Sequence, residues 1–245
     1  MTTVPATSVL DTDEEKEIPC PKIKTLGCTV IVEPRKHKAF DMVVHNVYHT
    51  LPDWPMHVFH GYKNAAFVKK ICQDIPGVSF HNLNCSNLSF RTYNRLLTRP
   101  NFYMNFESEY VMVFQTDSML FPHSPFQITD FLGYDYVGAP WKWRIEGDPT
   151  LRGGNGGLSL RKVKTMCIAL HTYPYPKEQP INEDLYICNL PISLPPNEIA
   201  QRFSIESMYY PTPLGVHKPW LYLNSNEYLK LQHYAPCIKA LVDFN

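Results

Sequence analysis

Asp117 follows the apolar run Glu109-Tyr-Val-Met-Val-Phe114, separated from it only by Gln115 and Thr116. A carboxylate just past a buried strand stands on rigid backbone and still faces a cleft. Gln115, two residues earlier, lies on the same side of an extended chain, so the pair offers two oxygen ligands. Hard divalent cations such as Mn²⁺ or Mg²⁺ take few protein oxygens when substrate phosphates complete the shell. They neutralise charge on a departing diphosphate. An Asp in this position can equally cap a turn or the next helix.

Three further segments carry groups of the right kind. Gly153-Gly-Asn-Gly-Gly157 permits positive φ and close approach of a ligand to backbone; its plain reading is a β-hairpin turn feeding the strand Leu158-Ser-Leu160. It matches neither the dinucleotide fingerprint nor the P-loop. Arg152 and Arg161 flank it, as phosphate donors or as solvated surface arginines. Asn182-Glu183-Asp184 opens an apolar segment. It is either a capped helix start with favourable dipole charge or the source of a general base for an acceptor hydroxyl. His217 and Lys218 sit in a Gly/Pro-bounded loop, where the His could ligate a metal and the Lys could meet phosphate. Trp141, Trp143 and Trp220 suit stacking on a sugar or base, with core packing as their default.

The elements that must position these groups are legible from pattern. Cys28–Glu33 is a β-branched strand, and Ala39–Leu51 is a helix with Phe40, Val43, Val44 and Val47 on one face. Met56–Phe59 is a second strand, Ala65–Ile75 a helix capped by Gly77, and Val78–Phe80 a third strand. A helix over Ser89–Leu97 stops before Pro100, and a strand and helix run from Leu158 to His171. A final helix covers Asn226–Phe244. Strands alternating with helices over the first half predict a largely parallel sheet covered on both faces. No internal repeat or linker divides the chain. Residues 1–24, polar and carrying the acidic run Asp11–Glu17, read as a flexible tail before one domain over 25–245.

The bulk properties exclude several functions. Lys+Arg and Asp+Glu balance at 23 each, so no overall field draws nucleic acid or anionic membrane. The seven cysteines are scattered, with no C-x-x-C pair and no clustered zinc ligands. They read as small buried residues of a reducing compartment. The N-terminus has no apolar stretch of a secretory signal, and no segment reaches the length of a membrane span. These features predict the cytoplasm, or the host cytoplasm for a viral protein.

Taken in order, the motifs form a resemblance. Val-Phe-Gln-Thr-Asp-Ser (113–118) resembles the strand-plus-metal motif of GT-A glycosyltransferases, whose usual form is Asp-x-Asp; Gln115 stands where the first Asp is expected. Gly-Asn-Gly-Gly-Leu-Ser-Leu-Arg (154–161) is similar to their Gly-rich segment. Asn-Glu-Asp-Leu-Tyr (182–186) is similar to the acidic motif of inverting members, and His-Lys-Pro-Trp (217–220) to the late loop of glycogenin-like enzymes. The likeness extends to a little-characterised eukaryotic and viral family with Val-Glu-Pro-Arg (32–35), Gln-Thr-Asp-Ser and Gly-Ala-Pro-Trp (138–141).

The resemblance implies an α/β GT-A (Rossmann-like) single domain with a mostly parallel central sheet flanked by helices. The implied activity is transfer from a nucleoside diphosphate-sugar, with UDP favoured, to a glycan or other acceptor hydroxyl, with inversion favoured at the anomeric carbon. The implied cofactor is Mn²⁺ or Mg²⁺ on Asp117, Gln115 and His217. Val32, Glu33, Arg35, Thr116, Asp117, Gly156, Gly157 and Lys218 would bind the donor, and Asp184 or Glu183 would act as base. A catalytically silent carbohydrate- or nucleotide-binding module is the alternative that the Gln115 substitution suggests. A metal-dependent nucleotidyl or phosphoryl transferase ranks behind both, since no P-loop and no second carboxylate beside Asp117 is present.

Overall fold

The structure is a computed structural model that describes residues 20–176, 178 and 181–245. Most of the expected tail, all but residues 20–24, lies outside the described residues.

The first half is built from β1 (Thr25–Val32), α1 (Phe40–Thr50), β2 (Met56–His60), α2 (Ala65–Ile71), β3 (Ser79–Asn82), α3 (Phe90–Leu97), α4 (Pro100–Tyr103) and β4 (Ser108–Phe114). The second half adds β5 (Ser118–Leu120), β6 (Tyr136–Pro140), α5 (Lys142–Gly147), β7 (Gly154–Lys162), α6 (Val163–Thr172) and α7 (Glu183–Ile187). It ends with α8 (Asn197–Phe203), β8 (Ser204–Ile205), β9 (Gly215–His217), α9 (Ser225–Tyr234) and α10 (Ile238–Phe244).

Six strands form the main sheet in the order β3-β2-β1-β4-β7-β6. β3, β2, β1 and β4 are mutually parallel, and β7 runs antiparallel between β4 and β6. A small second sheet, β5-β9-β8, sits beside it. The parallel strands read as continuous apolar runs because both faces are covered. Ile31, Met112 and Phe114 point to the layer of α1 and the C-terminal helices. Val30, Val32, Val111 and Val113 point to the layer of α3, α4 and α6. Each such side chain, fully buried, contributes about 1.5–3 kcal/mol, so β1 and β4 form a rigid base for the loops at their carboxyl ends.

Three expected elements differ. The helix predicted over Ala65–Ile75 stops at Ile71; Pro76 restrains Ile75, and Gly77, at φ +72°, turns the chain beyond a separate turn rather than capping the helix. The final helix is two helices, because Pro236 has no amide hydrogen to continue α9. The glycine-rich run is no hairpin turn: Gly154 to Gly157 open strand β7, and Gly153, at φ +106°, turns the chain into it. Phe114 of β4 lies opposite Leu158. On the β6 side, Gly138 pairs with Ser159 and the next residue, Ala139, pairs with Asn155. Gly156 and Gly157 therefore bulge from the ladder just beyond the end of β4, into the space that Gln115 and Asp117 enter.

Candidate active site

The carboxyl ends of β1 and β4 open on a cleft at the point where the sheet order reverses, the usual binding position in such sheets. An outer cleft of about 270 Å³ is lined by Val32, Glu33, Arg35, Tyr93, Thr116 and Asp117, among others. An inner cleft of about 220 Å³ is lined by Asn94, Asn155, Gly157, Asp184, His217 and Lys218, among others. Phe90, Tyr93 and Gln115 border both, so the two form one groove.

Short-strand register assembles the centre of this groove. β5 pairs with β9 so that Ser118 faces His217, and Lys218 N–H donates to the Asp117 carbonyl at 2.8 Å. Residues 117 and 217 are thereby neighbours despite the hundred positions between them. His217 Nε2 lies 3.2 Å from Asp117 Oδ1 and 3.2 Å from Gln115 Oε1. On its other side His217 Nδ1 meets Glu206 Oε1 at 3.0 Å. His217 is 1% and Glu206 3% exposed, so no solvent intervenes. Burial would raise the Asp117 carboxyl, but His217 and Lys218 outweigh it and hold it below the ordinary aspartate range.

These groups fit a divalent metal. Asp117 Oδ1 is buried without an aligned hydrogen bond, an orphaned acceptor of the kind a cation satisfies. Ligands on adjacent corners of an octahedron with bonds of ~2.1 Å stand about 3.0 Å apart, close to the two 3.2 Å separations here. Among the described residues no three His, Cys, Asp or Glu side chains converge on such a point; the third group beside Asp117 and His217 is the amide oxygen of Gln115. That amide is fixed by its other end, since Gln115 Nε2 donates to the Tyr93 hydroxyl at 2.7 Å.

Lys218 holds left-handed backbone, φ 33° and ψ 49°, a conformation that costs a non-glycine residue roughly 1–2 kcal/mol. Its N–H is held by the Asp117 carbonyl at the end of the β5–β9 ladder, and the half-buried Lys218 side chain borders the inner cleft.

The two acidic residues at the start of α7 are placed differently. Glu183 takes Arg161 Nη1 and Nη2 at 3.1 and 3.0 Å, and Arg161 has no exposed surface. Burial pushes the Glu183 carboxyl up to about 7, and Arg161 draws it only part of the way back. An enclosed, always-charged guanidinium needs that counter-charge, so the two stand as an ion pair. Arg161 also donates to the Ser159 and Tyr103 hydroxyls at 2.9 and 3.0 Å. It is therefore neither a phosphate donor nor a solvated arginine, while Arg152 is exposed. Asp184 instead accepts from Gly156 N–H at 2.9 Å and from Leu185 N–H at 2.7 Å; Glu183 and Asp184 both line the inner cleft. Glycine is required at two points: a Cβ on Gly156 would run into Glu183 Oε1, and one on Gly157 into the His217 ring.

At the outer end, Arg35 grips the Glu33 carboxylate through Nε and Nη2 at 2.8 and 2.7 Å. Buried Asn64 donates to the carbonyls of Glu33 and Arg35, both at 2.8 Å, which fixes this turn. Thr116 lines the same cleft. Of the tryptophans, Trp141 is buried, Trp220 packs on the core, and Trp143 is exposed. Sequence reasoning missed Asn64, Tyr93, Asn94 and Glu206. Glu206 repeats the signal of Asp117, a carboxylate directly after a strand, but β8 has only two residues.

A profile of the family described as "Protein of unknown function (DUF5672)" matches residues 77–217, more than half of the chain. The chain belongs to that family. The matched stretch holds the Gln115–Asp117 segment, the glycine-rich strand, Asp184, Glu206 and His217, so the groove's inner half is family territory. No curated protein matches the sequence. Among solved structures, the chain is similar to the galactosyltransferase LgtC in complex with donor and acceptor sugar analogues, at TM-score 0.55 and 11% identity over 88% of this chain and 94% of that one. It is also similar to the apo-form glycosyltransferase GlyE of Streptococcus pneumoniae TIGR4, at TM-score 0.51 and 11% identity over 89% of this chain and 62% of that one. This family member therefore has the GT-A glycosyltransferase fold. Among its described residues no helix is long and apolar enough to cross a membrane.

Proposed function

We propose that the chain transfers a glycosyl group from a nucleoside diphosphate-sugar to an acceptor hydroxyl. The observation that carries this reading is the convergence of Gln115, Asp117 and His217 on one point, with Lys218 and Asp184 bordering the same cleft. The outer cleft, with Val32, Glu33, Arg35 and Thr116, suits the nucleoside, and the polar inner cleft suits the diphosphate and sugar. Gln115, Asp117 and His217 would hold a divalent cation such as Mn²⁺ or Mg²⁺, which would supply positive charge against the departing diphosphate.

The chain's own groups do the rest. Lys218 adds a charge-assisted contact to phosphate. Gly156 and Gly157 let the sugar approach backbone. Asp184, each oxygen held by one backbone N–H, takes the proton of the acceptor hydroxyl as its oxygen attacks the anomeric carbon and the bond to the diphosphate breaks. Glu183, committed to Arg161, positions Asp184 and the glycine strand. A separate carboxylate base corresponds to inversion.

The test is calorimetric binding of UDP, GDP and TDP, each with Mn²⁺ and with EDTA, followed by turnover of the matching sugar nucleotides. Metal-dependent binding of one nucleotide is expected, with Asp184→Asn keeping that binding and losing about 10²- to 10⁴-fold in transfer. Undiminished transfer by Asp184→Asn would overturn its role as base. A second reading, a silent binding module, draws on Gln115 in place of a carboxylate, its amide already engaged by Tyr93 and His217. It predicts nucleotide or glycan binding with neither hydrolysis nor transfer.

A further inference from the structure

Glu206 has no place in the proposed transfer, yet it is among the most enclosed carboxylates of the chain, at 3% exposure. It reaches His217 because β8 lies parallel to β9 with Ile205 opposite Val216. The next residue on each strand, Glu206 and His217, then falls side by side. The contact, Glu206 Oε1 to His217 Nδ1 at 3.0 Å, is enclosed on both sides. A carboxylate accepts only, so the hydrogen between them belongs on Nδ1. Nε2 is then the ring nitrogen that faces Gln115 Oε1 and Asp117 Oδ1, both 3.2 Å away.

We infer that Glu206 is a positioning residue that fixes the Nδ1–H tautomer and ring plane of His217 and thereby sets the affinity of the Gln115–Asp117–His217 site for a divalent cation. This rests on the proposed metal site at Asp117. A ring turned over, or one that keeps its hydrogen on Nε2, would hydrogen-bond these two oxygens itself and leave no lone pair for a cation. The Glu206 charge also raises the basicity of the ligating nitrogen, the general effect of a carboxylate behind a metal-bound histidine. The arrangement offsets the loss of a carboxylate at position 115, because the negative charge absent beside the ion is restored one residue behind it.

The test is direct binding of Mn²⁺ to the purified full chain, by calorimetry and by the spin-resonance signal of free Mn²⁺, with no substrate present. Glu206→Gln keeps an acceptor for Nδ1–H and loses the charge, so it should bind about 10-fold more weakly. Glu206→Leu removes the acceptor as well and should bind about 100-fold more weakly, the range for partners behind a ligating histidine. Both variants binding within about twofold of wild type would overturn the inference while leaving the metal site standing. Failure of the wild-type chain to bind Mn²⁺, with His217→Ala indistinguishable from it, would remove the metal site and this inference together. Should Glu206→Leu fail to fold, nitrogen NMR of the His217 ring in the Mg²⁺-loaded wild type decides the matter. A hydrogen on Nδ1 alone is expected, and a hydrogen on Nε2 overturns the proposal.

Discussion

Two sides of the inner cleft are built from the same kinds of groups and finished in opposite ways. On one side Glu183 gives both oxygens to Arg161, and the guanidinium spends its remaining donors on Ser159, Tyr103 and the Gly156 carbonyl. On the other, Asp117 keeps a buried oxygen without an aligned hydrogen bond, next to a histidine and an amide that face the same point. A buried pair whose charges already match each other has little left to offer a substrate, and its geometry shapes the backbone around it. An unsaturated one keeps its capacity for a ligand. Adjacency in sequence decides little here: Asp184 comes directly after Glu183 and belongs with the open side.

Breaking the closed side should cost the fold. Arg161→Met leaves Glu183 enclosed without its partner, forced to take up a proton and to leave its polar atoms unpaired, and removal of one partner of a buried pair costs about 3–5 kcal/mol, a large part of the ~5–15 kcal/mol of a typical domain. Denaturant unfolding checks this. The double variant Arg161→Met with Glu183→Leu should recover most of the loss, and an additive double variant would show that the pair is not the source. Breaking the open side should spare the fold and cost the chemistry. Asp117→Ala is expected to keep its unfolding midpoint and to lose about 10²- to 10³-fold in sugar-nucleotide turnover, the usual loss when one group that stabilises developing charge is removed. Metal-dependent nucleotide binding should vanish with it. Full turnover in that variant would end the assignment of Asp117.

The sequence made the open side legible and the closed side almost invisible. Asp117 comes after a run too apolar to be anything but a two-sided strand, and a two-sided strand leads into a cleft. Its meeting with His217 was not derivable by pattern, because it depends on the register of a three-residue strand paired across about a hundred residues; only the resemblance placed it. Glu206 was lost for the same reason, behind a strand of two residues. Arg161 had a signal that went unused. In Leu158-Ser-Leu-Arg161 the period of two puts Arg161 with Ser159 on the second face of a strand, and β7 is covered on both faces. A charge there has to find a buried partner, and the only acidic cluster in the later sequence with an apolar helix behind it begins at Glu183. The glycine run misled because its composition suits a turn and a bulged strand equally. What decides is the approach of the Glu183 and His217 side chains, which local sequence does not encode.

Lys218 tests both properties in one residue, since its backbone is strained and its side chain is part of the open side. Lys218→Gly releases the left-handed strain, partly offset by the greater freedom of glycine in the unfolded chain, so stability should rise by roughly 0–1 kcal/mol. The same change removes one charge-assisted contact to phosphate, worth about 1.5–3 kcal/mol, and nucleotide affinity should fall about 10- to 100-fold. Unfolding and calorimetry on one preparation read both. A variant that loses stability and keeps affinity would place Lys218 among the structural groups instead.

Acid offers the mildest test, because one source of acid sensitivity lies far from both sides. His57 Nδ1 and His81 Nε2 are 2.9 Å apart on β2 and β3 and share one hydrogen, with His57 edge-on to Phe106 and His81 stacked on Phe59. Burial, and then the neighbouring His81, lower the His57 pKa to about 4. The unfolded chain, with an ordinary histidine near 6.5, takes up a proton first as pH falls. The pair's contribution to stability is therefore intact above about pH 6.5 and declines as pH drops toward 4. His57→Phe, which keeps the ring among its aromatic neighbours, should flatten that part of the stability profile and leave Mn²⁺ affinity at neutral pH unchanged. An acid slope that survives the substitution would return the sensitivity to the other histidines that burial lowers, His81 and His37.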